Sequence, residues 1–258
     1  MTIDILLTRH GMKEDKKVVP GSDEDKKVDL SAEGKTKCYQ SGLGVIKPYP
    51  NYAHVFVAAS DFLRTRRTAE MMLEAGHYKI DDSGLVAVVQ RSDIGLSGGV
   101  NWKAHELPQY SDEGEAADNF RKVLLTDFYK PHDGRPDLPV MAKFAYALLD
   151  SLIGGVEAEM RKMKEMKDKN ALVLVATHTP VIDAFGNSIY GSLIVNEQGE
   201  TRVENFPGFF RMGEYIQGSI LKIADDPCFI FHVKGNEMGY KLSELKQMRD
   251  MHKKFAGL

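Results

Sequence analysis

Ile3-Asp4-Ile5-Leu6-Leu7-Thr8-Arg9-His10-Gly11 reads as a short buried strand that stops at an arginine, a histidine and a glycine. Ile3, Ile5, Leu6 and Leu7 are apolar or β-favouring, and Gly11 lets the chain turn away at little steric cost. An Arg-His pair at the end of an apolar strand is costly to bury unless something anionic sits beside it. A second stretch repeats the arrangement. Ala171-Leu172-Val173-Leu174-Val175-Ala176 is apolar throughout, as a central parallel strand buried on both faces would be, and it ends in Thr177-His178-Thr179-Pro180. Ligands of open parallel sheets bind at the carboxyl ends of strands. Thr179 as N-cap and Pro180 as first helical residue put His178 at a strand-to-helix junction.

Between these stretches the order of elements is that of an α/β protein. After the first strand comes a charged run, Met12 to Lys17 and Gly21 to Lys27, which reads as a solvated loop whose Lys13, Lys16 and Lys17 can attract an anion. Ser31 caps a helix running past Cys38 and Leu43. His54 to Ser60 is a second strand, and Ser60 or Asp61 caps the helix after it. Leu63, Ala69, Met72 and Leu73 give that helix its apolar face. Arg64 lies in its first turn, where the helix dipole disfavours a cation unless an anion is bound there too. Arg66 and Arg67 read as surface or ion-paired residues. Leu85 to Val89 is a third strand, leading into a loop with Gly95, Gly98 and Gly99. Trp102 to about Pro139 is polar and reads as a cap. Met141 to about Met166 is a long helix that Gly154-Gly155 can kink. Gly218 to Ile223 and Phe229 to Val233 are strands, with a hairpin turn at Lys234 to Glu237. Leu242 to Phe255 closes the chain as an amphipathic helix. No repeat or low-complexity linker divides the chain, so residues 1–258 read as one domain with a cap or insert at about 100–140.

Composition narrows the function classes. Apolar residues make up 43% and charged residues 28% of the 258, as in ordinary globular proteins. A formal net charge of −3 gives no reason to expect nucleic acid or an anionic membrane as partner. Two cysteines, Cys38 and Cys228, are too few for a disulfide framework and suit a reducing cytoplasm. No signal peptide or spanning segment is read. His54, His77, His105, His132, His232 and His252 pair with no carboxylate or cysteine at metal-ligand spacing, so no metal site is expected. Neither nucleotide-binding glycine motif occurs.

Four motifs stand in order: Arg9-His10-Gly11, Leu30-Ser31-x-x-Gly34, Ser60-Asp61-x-x-Arg64-x-x-x-Thr68-Ala69, and the strand ending at His178. Together they resemble the histidine phosphatase superfamily, which also contains the cofactor-dependent phosphoglycerate mutases. The resemblance covers roughly residues 1–100 and 170–225. It implies a three-layer α/β/α fold with a mostly parallel central sheet, phosphoglycerate mutase-like. It also implies a phosphate pocket of Arg9, His10, Arg64 and His178, with His10 as nucleophile and no metal or other cofactor. The chemistry of these residue types fits. A neutral imidazole attacks phosphorus, guanidinium groups hold the oxygens as charge spreads, and His178 donates a hydrogen bond to the same group.

The proton donor departs from the family pattern. Members often carry a glutamate a few residues before the glycine of a Gly-x-x-x-Gly stretch, here Gly95 to Gly99. Arg91 falls at that position, so Asp93 is the carboxyl group chosen as donor, with Glu106 the weaker candidate. The family's asparagine downstream of the first histidine has no match in Met12 to Lys17. These departures favour a phosphatase whose leaving groups need little protonation, phosphohistidine or acyl phosphates among them. The expectation is therefore a cytoplasmic phosphomonoesterase acting through phospho-His10 on a small phosphorylated metabolite or a phosphoprotein. A phosphoglycerate-type mutase is the alternative, and a non-catalytic phospholigand-binding protein the second alternative. Self-association is left open.

Overall fold

Ile3, Ile5 and Leu7 pack on one face of strand β1 (Ile3–Arg9) and Leu6 on the other, and different helices cover the two faces. The computed structural model describes residues 2–19, 22–80, 85–95, 140–165, 170–190, 192–195, 201–204, 210–220 and 226–258. After β1 come helices α1 (Asp23–Lys26) and α2 (Ala32–Val45), strand β2 (Tyr52–Ala59), helix α3 (Leu63–Ala75), strand β3 (Val86–Gln90) and a 3-10 turn at Ser92–Ile94. Helix α4 (Val140–Glu165), strand β4 (Asn170–Thr177) and helix α5 (Thr179–Tyr190) follow. The last third holds β5 (Ser192–Val195), β6 (Thr201–Glu204), β7 (Tyr215–Ile220), β8 (Cys228–Val233), β9 (Asn236–Lys241) and α6 (Leu242–Phe255).

Seven strands form one sheet in the order β3-β2-β4-β1-β7-β8-β9, with β5 and β6 paired separately. β3, β2, β4 and β1 are parallel; β7, β8 and β9 are added antiparallel. The sheet is thus parallel through its centre and antiparallel at one side. Leu6, Val55, Val57, Leu172 and Leu174 face α2 and α3 through Cys38, Ala69, Met72 and Leu73. Ile3, Ile5, Leu7, Val173 and Val175 face α4, α5 and α6 through Leu148, Leu152, Val181, Phe185 and Leu245. Alternate residues of one strand serve opposite cores, which is why the central strands read as unbroken apolar runs. The result is three layers, helix–sheet–helix.

The register positions the site. Arg9 of β1 lies beside Thr177 of β4, and Ala59 of β2 beside Ala176. Three neighbouring strands therefore end at one level, delivering His10, His178 and Ser60 side by side. α2 and α3 leave β1 and β2 on one face, while α5 leaves β4 on the other. The chain ends diverge at β4, which is where a crevice opens in a doubly wound sheet.

Several expectations need correcting. Ser31 does cap α2, accepting from Gly34 N–H at 3.0 Å. Residue Phe62, not Ser60 or Asp61, occupies the N-cap position of α3, and no side chain caps it. Thr179 lies within α5 and does not cap it. At Gly155 the helix comes close to the sheet: α4 runs unbroken through Gly154-Gly155, and a Cβ there would lie 2.7 Å from the Phe56 ring. The strand expected at Gly218 to Ile223 starts earlier, at Tyr215, and is described as far as Ile220; residues 221–223 lie outside the described residues. The terminal hairpin turns at Lys234-Gly235 with φ of 49° and 83°, the paired positive angles of a tight hairpin turn. The expected cap, about 100–140, lies outside the described residues apart from the start of α4. Glu106, His105 and His132 lie outside them too. Among the described residues no helix is long and apolar enough to cross a membrane.

Candidate active site

The loop from Arg9 to Met12 is held by its own backbone. His10 N–H donates to Thr177 O at 2.9 Å, extending the β1–β4 ladder one residue beyond the strand. Gly11 N–H donates to Thr68 Oγ1 at 3.0 Å, and Thr68 Oγ1 donates to Arg64 O at 2.8 Å. One threonine of α3 thus ties the histidine loop to the arginine's helix turn. Gly11 is needed for space, not for a positive φ. A Cβ on it would lie 2.5 Å from Cys38 Sγ, and one on Gly34 would lie 2.1 Å from Met12 O. The two glycines let α2 press against the loop that carries His10.

All four basic residues singled out in the sequence meet here. Arg9 and His178 are 0% exposed, His10 and Arg64 2%. The His10 and His178 rings pack edge to face with centroids 4.9 Å apart. Phe62 wedges between the two chains of contact, its ring 4.6 Å from His178 and 4.4 Å from the Arg64 guanidinium carbon. Arg9 Nη1 donates to Phe210 O at 3.0 Å, and Phe210 N–H donates to Asp183 Oδ1 of α5 at 2.9 Å.

Protonation follows from the partners. His10 Nδ1 lies 2.7 Å from Gly11 O. A carbonyl oxygen only accepts, so Nδ1 carries the proton and the Nε2 lone pair is free. Burial first, then the charges of Arg64 and Arg9, hold the His10 pKa well below the ordinary value. Burial, Arg64, His10 and Arg9 do the same for His178. Both imidazoles are neutral at pH 7, in a field whose acting charges, Arg64, Arg9 and Lys13, are all positive.

His178 Nε2 is 2.9 Å from Ser60 Oγ, which is 2.8 Å from Thr65 Oγ1. Thr65 Oγ1 donates to Phe62 O at 2.7 Å, so it accepts from Ser60 Oγ, and the Ser60 oxygen in turn accepts from a proton on His178 Nε2. Reversing the two hydroxyls moves that proton to Nδ1. Nδ1 and Thr179 Oγ1, both buried, make no hydrogen bond among the described residues. Leaving such groups dry costs about 1–3 kcal/mol each, a deficit that an anion's oxygens would remove.

Asp93 is not brought to the histidines. Its two oxygens take Arg91 Nε at 3.0 Å and Nη2 at 2.5 Å, while Arg91 also bridges to Asp150 of α4. Arg91 spends the carboxylate in an ion pair, and the Asp93 side chain is 45% exposed. Distance along the chain points to Asp93 as donor but does not report this pairing. Arg66 and Arg67 pair with Glu70, as expected.

Asp25 is the residue missed. It is 1% exposed, inside the run read as a solvated loop. Arg64 Nη1 donates to Asp25 Oδ1 at 3.0 Å and to its carbonyl at 2.9 Å, and Nη2 to Oδ2 at 3.3 Å. Lys13 Nζ stands 3.9 Å from Oδ1. Ser22 Oγ accepts Asp25 N–H at 3.2 Å, fixing the short helix that turns the carboxylate inward. Nothing in a run of alternating charges marks one of them as buried. An Asx/Ser-type start at Ser22 was the only signal. Beside α1 lies an open cleft of about 500 Å³ bounded by Lys26, Lys27, Asp61, Leu63 and Arg66; none of the four basic site residues lines it. Among the described residues no group of three or more His, Cys, Asp or Glu is arranged to hold a metal ion.

No family model and no curated protein matches the chain. Solved structures do. A mycobacterial glucosyl-3-phosphoglycerate phosphatase is 18% identical, covering 86% of this chain and 92% of its own, with a TM-score of 0.45. A mycobacterial hydrolase is 18% identical over 97% of this chain and 98% of its own, TM-score 0.45. The protein histidine phosphatase SixA, solved with tungstate, is 13% identical over 92% and 95%, TM-score 0.40. At such identities and scores a likeness transfers no activity; the site's own geometry has to carry one.

Proposed function

We propose that this chain is a histidine phosphatase, a phosphomonoester hydrolase of the phosphoglycerate mutase-like superfamily, working through a phosphohistidine on His10. The observation that carries it is the pairing of a buried, neutral His10, its Nε2 lone pair free, with two buried arginines and a second neutral histidine. A strand-end cluster of this kind has no structural need for a nucleophile aimed away from its own backbone partner.

The chemistry runs as an in-line exchange. The Arg9 and Arg64 guanidinium groups take the non-bridging phosphoryl oxygens, and their charge counts for more as negative charge spreads over those oxygens. His10 Nε2 attacks phosphorus while Gly11 O holds the Nδ1 proton, so the ring cannot rotate and the positive charge that develops on it is stabilised. Reversal of the Ser60 and Thr65 hydroxyls moves the His178 proton to Nδ1, which donates to a phosphoryl oxygen. Water then attacks the phosphohistidine and the P–N bond breaks back to Nε2. Side chains and the Gly11 carbonyl fill these roles, and the reading includes no metal or other cofactor. The substrate is a phosphomonoester of a small metabolite or of a protein. Two free cysteines, Cys38 and Cys228, accord with a cytoplasmic setting.

The test is phosphate release from a panel of phosphomonoesters by the wild type and His10→Ala, with a chelator present. Chelator-resistant release that vanishes in the variant supports the proposal. Release that survives in His10→Ala refutes it.

A further inference from the structure

An arginine side chain carries five N–H donors, and three of those on Arg64 are accounted for. Nη1 donates to Asp25 O at 2.9 Å and to Asp25 Oδ1 at 3.0 Å, and Nη2 donates to Asp25 Oδ2 at 3.3 Å. These bonds use the tip of the guanidinium and the corner beside Cδ. The two donors left over, Nε–H and the second Nη2–H, lie side by side on the opposite edge. They make a complete fork of the kind that takes two oxygens of one anion. Arg64 Nε is buried and makes no hydrogen bond among the described residues. A cationic donor left dry in the interior is costly, and two phosphoryl oxygens would satisfy the whole edge at once. The surroundings are those of the site. Of the charges that act on His10 and on His178, Arg64 acts most strongly on each. Phe62 lies against both the Arg64 guanidinium and the His178 ring.

We propose that Asp25 is a positioning residue, which grips one edge of Arg64 and so aims the Nε–Nη2 edge at the phosphoryl group. This rests on the phosphatase reading above. Asp25 stays bonded to Arg64 throughout and does not touch the substrate.

The fold holds the carboxylate for that task. The chain leaves the sheet side after Glu14 and returns to the same spot at Asp29, where Glu14 N–H donates to Asp29 O and Ser31 N–H to Met12 O, each at 2.9 Å. Lys13 and Leu30 bridge at this base. Within the excursion Ser22 Oγ accepts Asp25 N–H at 3.2 Å, and the carboxylate and carbonyl of Asp25 both meet Arg64. Lys13 Nζ, 3.9 Å from Oδ1, is a second cation beside the carboxylate. Lys26 Nζ ties α1 to Asp61, just ahead of α3, at 2.9 Å. Arg64 is thus fixed by its own helix and by the loop that follows β1. A guanidinium held this way has little rotamer freedom to lose when the anion arrives.

The experiment uses orthovanadate as the anion. Asp25→Asn keeps the side chain's shape but turns one acceptor into an NH2 group that faces the Arg64 donors. On variant protein shown to be folded by circular dichroism, orthovanadate affinity and kcat/KM for a phosphomonoester are each expected to fall about 10–100-fold. In an Arg64→Lys background, which has no fork to aim, adding Asp25→Asn is expected to change either quantity by less than about threefold. An unchanged affinity in the single variant would make Asp25 a support of the fold alone and overturn the proposal. A tighter affinity would show the carboxylate competing with the anion and overturn it too, as would an equal loss in the Arg64→Lys background. Should the variant not fold, the wild type decides by nitrogen-15 NMR. The Arg64 Nε–H resonance, identified by its absence from Arg64→Lys, is expected to move downfield when orthovanadate binds; an unmoved resonance overturns the proposal. A wild type that neither binds orthovanadate nor forms a phosphoenzyme means that the phosphatase reading itself has failed, and this proposal with it.

Discussion

His10 Nδ1 and Gly11 O lie 2.7 Å apart, and this one hydrogen bond fixes which nitrogen of the nucleophile is free. Because the same ring is buried against Arg64 and Arg9, its pKa is held well below the ordinary value. The expected consequence is a His10 that stays neutral and Nδ1-protonated as pH falls from 8 to 6. Nitrogen-15 NMR of the imidazole checks it: a titration centred near the ordinary histidine value would contradict the assignment. The acid limb of kcat/KM is accordingly set by substrate ionisation, not by His10.

Arg64 and Asp25 are a buried pair, joined by a bidentate set of hydrogen bonds. Arg64→Met is expected to cost about 3–5 kcal/mol, since the buried carboxylate loses that bidentate partner and keeps Lys13 only at 3.9 Å. Arg64→Met with Asp25→Leu removes both charges and is expected to recover most of that loss while leaving the protein inactive. Urea denaturation of the two singles and the double measures it. A double variant no more stable than the single would show that the pair's burial is not the reason.

Gly34 meets the histidine loop without a side chain. The Cβ of Gly34→Ala would lie 2.1 Å from Met12 O, a backbone atom that moves only if the loop does. A loss of about 1–3 kcal/mol is expected from overpacking. Because Met12 follows His10 and Gly11, kcat is expected to fall too. Thermal melts and turnover of one purified variant settle both parts.

Acid is expected to destabilise the fold in a definite window. Burial lowers His252 of α6 to about 4, against an ordinary value of 6.5. The unfolded chain therefore binds more protons than the folded one between those values. Stability is unaffected above that window, falls as pH drops through it, and levels off below about 4. The slope from one such group is at most about 1.4 kcal/mol per pH unit. His10 and His178 act with the same sign, so His252→Gln is expected to remove only part of the slope. Denaturant midpoints between pH 7 and pH 4 measure it.

The strand ends were legible in the sequence because each couples an apolar run to an abrupt polar stop, and such a stop has few burial-compatible explanations. Ile3 to Gly11 and Ala171 to Pro180 place His10 and His178 at neighbouring strand ends by register alone. Arg64 was legible as a cation at the dipole's unfavourable end. The hydroxyl of Ser60 was not: a serine before a helix reads as a cap, and only the fold reveals that His178 and Thr65 claim it. Asp25 and Asp93 failed in opposite directions. One was hidden in a charge run but is buried by Ser22 and Arg64; the other stood out by position but is drawn off by Arg91. Local sequence carries propensity and period, whereas the partner of a carboxylate is set by which chains meet in space.

Trapping the phosphoenzyme tests the central claim most directly. The wild type and His10→Ala would be quenched during turnover of a phosphomonoester and the phosphopeptide mapped by mass spectrometry under alkaline conditions. One acid-labile phosphoryl group on His10 Nε2, absent from the variant, is the result expected. Turnover with no phosphorylated His10, or a label on another residue, would contradict it.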